Sequence, residues 1–173
     1  MFKTVQNVPN VLKARKEPLA SKKVGVFQEY NIYESNRMIA AYCNIGHTIP
    51  GILIYKSGVF GTKQIVVNEA FQKLPKYMQE AMFHHEVGHD KCGHLSLILS
   101  STESYQLKMG DIFLGTGNYL TLEFEADKYA AEIVGVDVMV ETLSELKYHL
   151  PDVLSKRLMN HRIKKVKSYG IKT

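Results

Sequence analysis

The sequence predicts an α+β domain, with a small N-terminal sheet followed by a helical bundle that carries the functional residues. Two observations lead there. Between Val24 and Val67, short β-branched or aromatic runs alternate with Gly46, Pro50, Gly58 and Gly61. From Pro75 onward, apolar residues recur at steps of three and four. A length of 173 residues suits one domain, and 45% apolar with 23% charged residues is enough to bury a core.

The elements follow in order. Residues 1–23 are polar and contain Pro9 and Pro18, so they form an extended or loosely helical arm. The rest, 24–173, is expected to be a single domain. Strands are expected at Val24–Phe27, Met38–Cys43, Gly51–Tyr55 and Gln64–Val67. Pro75 then opens a helix through KYMQEAMFHHEVGH, with Met78, Ala81, Met82, His85 and His89 on one face and Gly93 as its stop. Residues 94–118 read as a mixed connection with a Gly-rich end from Gly110 to Gly117. A second helix covers Tyr119–Val134, with Ala126, Ala130 and Val134 on one stripe and Gly135 at its end. A third covers Val138–Tyr148, and Pro151 opens a fourth that runs towards Val166.

Several classes are excluded. The first residues carry no long apolar run, so they are not a secretory signal. No window reaches the roughly 18 apolar residues that a membrane span needs. Two cysteines cannot make a disulfide scaffold and fit a reducing compartment. The expected location is cytoplasmic. The net charge of +5 is unevenly spread. Residues 1–23 carry six cations and one anion, and residues 156–173 carry seven cations and no anion, so the middle is at −7. Basic ends admit a nucleic-acid or anionic-membrane partner, and they equally describe solvated termini.

The strongest signal is H-E-x-x-H at His85-Glu86-Val87-Gly88-His89. Four helical residues turn about 400°, so His85 and His89 project from one face, a turn apart. Two imidazoles so placed can hold one zinc ion, and Glu86 beside them can take a proton from water at the ion. A catalytic zinc needs a third protein ligand. His94 is one candidate, but the extended pattern HExxHxxGxxH puts Gly and His at positions 92 and 95, whereas this chain has Cys92, Gly93 and His94. Cys92 is a second, although a thiolate there would crowd the open position. The third is a carboxylate of Glu123-Phe124-Glu125-Ala126-Asp127. Glu123 and Asp127 are four apart and share a face with Ala126 and Ala130, small residues that let two helices approach. Glu123 is then the ligand and Asp127 the acceptor that orients a ligand histidine. Glu125 is the alternative ligand.

With these residues in view, HHEVGHD followed by EFEADKYAAEIVG resembles the gluzincin metallopeptidases, above all the CAAX-prenyl-protease/HtpX-like family, where HExxH is paired with a downstream ExxxD. The likeness covers Ile65 to Val134. It implies a zincin-like fold, zinc held by His85, His89 and Glu123, Glu86 as general base, and Asp127 behind the ligands. The chain departs from that family in lacking membrane helices, so a soluble minimal form is the better comparison. The same two segments resemble ImmA/IrrE-type proteins, which act on repressors.

A donor for the oxyanion is also expected. Tyr119, Tyr129, His149, His161 and Arg162 are the candidates, and spacing selects none of them. The helix carrying His161 and Arg162 resembles the C-terminal segment of the family, where a basic residue or histidine faces the cleft. If strand 64–67 is a sheet edge, an extended protein or peptide substrate could pair along it. His47 and His84 read as surface or core histidines, and Cys43 as at most a cap on the ion. Three functions compete: a zinc endopeptidase, a regulatory protein that cleaves or binds one partner such as a repressor, and a nucleic-acid-binding protein with a structural zinc. The last is disfavoured, because structural zinc usually has four protein ligands and Glu86 would have no task.

Overall fold

The structure is a computed structural model, and it describes residues 22–43, 46–56, 62–94 and 118–170. The chain runs β1 (Lys22–Phe27), β2 (Tyr30–Glu34), α1 (Asn36–Cys43), β3 (Ile52–Lys56), β4 (Lys63–Val67), α2 (Glu69–Gln72), α3 (Lys76–Lys91), α4 (Asn118–Val134), α5 (Val136–His149) and α6 (Val153–Tyr169). This is the expected α+β organisation, an N-terminal sheet followed by helices, with α1 set among the strands. The arm up to residue 21 and the connection at 95–117 lie outside the described residues. Lys22 and Lys23, assigned to the arm by the sequence, already belong to β1.

The four strands form one sheet in the order β1-β2-β4-β3. β1 and β2 make a hairpin, β3 pairs antiparallel with β4, and β2 pairs with β4 in parallel, Ile32 opposite Ile65. The parallel pair requires a crossover, and α1 and β3 supply it. One strand is added to those expected, and one expectation is corrected. Tyr30–Glu34 is a strand that Asn31 and Glu34 disguised. Met38–Cys43, expected as a strand, is the helix α1. Its start is marked by Ser35, whose Oγ accepts from the Met38 N–H at 3.2 Å. Its apolar residues follow helical rather than alternating contacts, since Met38 and Ile39 both pack on Val66.

Alternation in β4 divides the interior. Val66 faces α1, with Leu53 and Tyr55 beside it. Ile65 and Val67 face the other way, into the main core with Tyr30, Ile32, Phe71, Met78, Ala81, Met82 and Val87. Ala130 and Ala131 of α4, Met139 and Leu143 of α5, and Val166 of α6 close that core. α3 therefore lies between the sheet and the bundle. Its C-terminal end is tied to the sheet by Asp90, which accepts from Tyr30 Oη at 2.6 Å and from Lys63 Nζ at 2.7 Å. Among the described residues, no helix is long and apolar enough to cross a membrane.

Candidate metal centre

The site is built on α3, which begins right after Pro75, a residue whose fixed φ suits the entry to a helix. His85 and His89, one turn apart, are both buried, at 2% and 9% exposure. Their Nε2 atoms face each other at 3.1 Å. α4 delivers the third group. Its Ala126 lies so close to Gly88 that a Cβ on Gly88 would meet the Ala126 Cα and carbonyl oxygen at 3.1 Å. That approach carries Glu123 in, with Oε1 3.3 Å from His89 Nε2 and Oε2 3.4 Å from His85 Nε2.

These separations bear on which ion would fit. Tetrahedral bonds of about 2.0–2.1 Å hold ligand atoms roughly 3.3–3.4 Å apart. The nearest donor atoms of His85, His89 and Glu123 stand 3.1–3.4 Å apart, with a different carboxylate oxygen of Glu123 nearest to each histidine. Two imidazoles and a carboxylate are a donor set that suits zinc. The donor set is compatible with a zinc ion, which His85, His89 and Glu123 could hold.

Behind His85 and Glu123 lies a second layer of hydrogen bonds. Asp127 is fully buried and its Oδ1 accepts from His85 Nδ1 at 2.9 Å, which leaves Nε2 of that ring for the ion. Arg162 of α6 grips the same carboxylate twice, Nη2 to Oδ1 at 2.7 Å and Nε to Oδ2 at 2.8 Å. Its Nη1 lies 2.8 Å from Glu123 Oε2. Burial by itself would raise both carboxyl groups, but the Arg162 guanidinium and the histidines hold Glu123 well below the usual range and Asp127 below it. His85 is affected in the opposite sense. Its burial favours the neutral ring, yet the bonds to Asp127 and Glu123 prevail and push its pKa up to about 9.

Glu86 is buried beside the ligands but points to the sheet. Its Oε2 accepts from the backbone N–H of Ile54 at 2.7 Å. Ile54 lies on β3, opposite Ile65, and gives this N–H to Glu86. The strand next to the site is thus β3. The expected pairing edge, strand 64–67, is corrected: β4 lies between β2 and β3, and its backbone is already paired on both sides. β3 has no second strand partner among the described residues.

The remaining expectations divide clearly. Arg162 enters the site as a partner of carboxylates, while its neighbour His161 is exposed and outside the cluster. His94 does not join the ligand group. It is buried behind His89, Nδ1 to Nδ1 at 2.9 Å, and its Nε2 meets Glu125 Oε2 at 2.8 Å. Cys92 is exposed and stands with His94 and Glu125 in a separate group. The Cys43 thiol lies 4.0 Å from the Ile52 carbonyl oxygen. Burial, with Glu86 and Glu123 near, pushes its pKa up to about 12, and Cys43 is not grouped with His85, His89 and Glu123. His84 packs edge-on to Phe27 and His47 is exposed. His149 pairs with Glu145 on α5. Tyr129 is half-buried against Gly88, and the Tyr119 side chain lies outside the described residues. Sequence reasoning missed the double grip of Arg162 on Asp127 and the bond between His94 and Glu125.

Comparison of the chain with models of known protein families, with curated proteins and with solved structures gives no match.

Proposed function

We propose that the chain is a zinc-dependent endopeptidase of the gluzincin kind, similar to the CAAX-prenyl-protease/HtpX-like family in its two motifs. One observation supports this reading: two helices bring His85 Nε2, His89 Nε2 and the Glu123 carboxylate within 3.1–3.4 Å of one another, with Glu86 alongside but outside that group. A zinc ion held there would supply Lewis acidity towards a peptide carbonyl and a water molecule. The chain's own residues do the rest. The Ile54 N–H holds the Glu86 carboxylate beside the ligands. Glu86 takes a proton from the water as its oxygen attacks the carbonyl carbon, then hands that proton to the amine nitrogen as the C–N bond breaks. An extended substrate pairs along β3, whose outer edge faces Glu86. Cys43 and Cys92 are both free thiols, which supports a cytoplasmic site of action.

The test compares wild type with Glu86→Gln. Wild type is expected to carry one zinc per chain and to cleave a casein-like substrate. Glu86→Gln is expected to keep the zinc and to lose at least about 100-fold in kcat. Wild-type protein well below one zinc per chain, or a fully active Glu86→Gln, overturns the reading.

A further inference from the structure

We propose that His94 is a positioning residue for His89: it accepts a hydrogen bond from the back of that ring and passes one on to Glu125. The inference rests on the metal reading above.

The ring protons of His89 and His94 can be placed one by one. His89 turns Nε2 towards His85 and Glu123 and Nδ1 towards His94. A neutral imidazole carries one proton. If Nε2 gives its lone pair to an ion, the proton of His89 is on Nδ1. The contact between Nδ1 of His89 and Nδ1 of His94, 2.9 Å long, then has His89 as donor and His94 as acceptor. His94 must in turn carry its own proton on Nε2, the atom 2.8 Å from Glu125 Oε2. A carboxylate only accepts, so every contact in the chain has one donor and one acceptor, and only one direction is allowed. His94 is 1% exposed, so water cannot replace these partners from outside. Glu125 is exposed, and the relay ends at solvent.

The fold builds this contact deliberately far from helical register. Five residues along a continuing helix would rotate His94 by about 500°, or roughly 140° away from His89. Gly93 has φ +77, a conformation that L side chains rarely adopt, and there the chain leaves α3 and returns His94 to His89. The two ligand histidines are thus oriented by different means. His85 leans on a carboxylate clamped by arginine, and His89 leans on a histidine backed by a carboxylate.

The same count constrains the neighbouring Cys92–His94–Glu125 group, whose donor atoms lie within 4.8 Å of one another. An ion there would need the Nε2 lone pair of His94, where the relay has a proton. The chain should therefore take one zinc and not two.

The test measures zinc affinity by competition with a chromophoric chelator for wild type, His94→Leu and His94→Gln. His94→Leu removes the acceptor and should weaken zinc about 10–100-fold. His94→Gln keeps a side-chain oxygen and should recover part of the loss, which a merely space-filling role would not do. Nitrogen-15 NMR of the zinc-loaded wild type needs no variant, and it should show His89 protonated at Nδ1 and His94 at Nε2. Unchanged affinity in His94→Leu, His94 protonated at Nδ1, or two zinc ions per wild-type chain would overturn the relay. Wild-type protein without stoichiometric zinc would sink the metal centre itself, so the two failures are told apart.

Discussion

The residue on which most of the site depends is Arg162. Its three donors meet the carboxylates of Asp127 and Glu123, both buried. Removing one side of a buried ion pair leaves the other side uncompensated, at about 3–5 kcal/mol. Arg162→Ala should therefore lose stability on that scale in a denaturant melt, with weaker zinc binding. Loss below about 1 kcal/mol would show that the carboxylates find other partners. His85 makes a pH prediction. Its pKa of about 9 lies above the ordinary imidazole value of about 6.5. In protein stripped of metal by a chelator, the stability from His85 is complete below about pH 6.5 and is lost as pH rises through about 9. Asp127 and Glu123 are shifted down, so their contributions are lost only as pH falls through the acid range. The stripped protein's Tm should fall between pH 6.5 and 9.5, and zinc affinity should rise over that interval as the ion displaces the His85 proton. A flat Tm there would contradict the assignment. At this scale His85, Glu86 and His89 were legible because the geometry of one helix determines their spacing. The choice of Arg162 over His161 was not, because it depends on how α6 is rotated against α4.

At the scale of elements, the seam between α3 and α4 determines whether the ligands meet. Gly88 and Ala126 make the closest approach, and Ala130 continues the small-residue face. Gly88→Ala would set a methyl group against backbone in the packed helix α4, which cannot move without moving Glu123 and Asp127. About 1–3 kcal/mol of destabilisation is expected, with a loss of zinc affinity visible by chelator competition. A stabilised Gly88→Ala would mean that α4 yields freely. The α4 stripe was readable in the sequence, since Glu123, Ala126, Asp127 and Ala130 recur at helical steps. α1 was not, because a short apolar run such as MIAAYC suits either a strand or a helix until its packing partner is known. Nor was the interior place of β4, because its parallel pairing with β2 joins residues far apart in sequence.

For the whole molecule, a zinc ion held at this site would couple to folding. The proposed ligands come from α3 and α4, so an ion that bound only the folded state would stabilise the whole chain. Free zinc at about 1,000 times Kd should add about 4 kcal/mol, and a chelator should lower Tm correspondingly. No shift on chelation would argue against a resident ion. The charge asymmetry also resolves at this scale. Glu86, Glu123 and Asp127, part of the acidic middle, are buried at the site. Among the basic residues of α6, Arg162 is turned in to meet two of them while Arg157, Lys164, Lys165 and Lys167 stay exposed. By itself the sequence determined the α+β order, the histidine pair with its glutamate, and the α4 carboxylates, because each is a periodicity or a spacing within one element. Only the tertiary structure decided that β3 rather than β4 faces Glu86, that Arg162 rather than His161 enters the site, and that His94 stands behind His89. Those are contacts between surfaces brought together by packing, and no local pattern encodes the angle at which two packed elements meet.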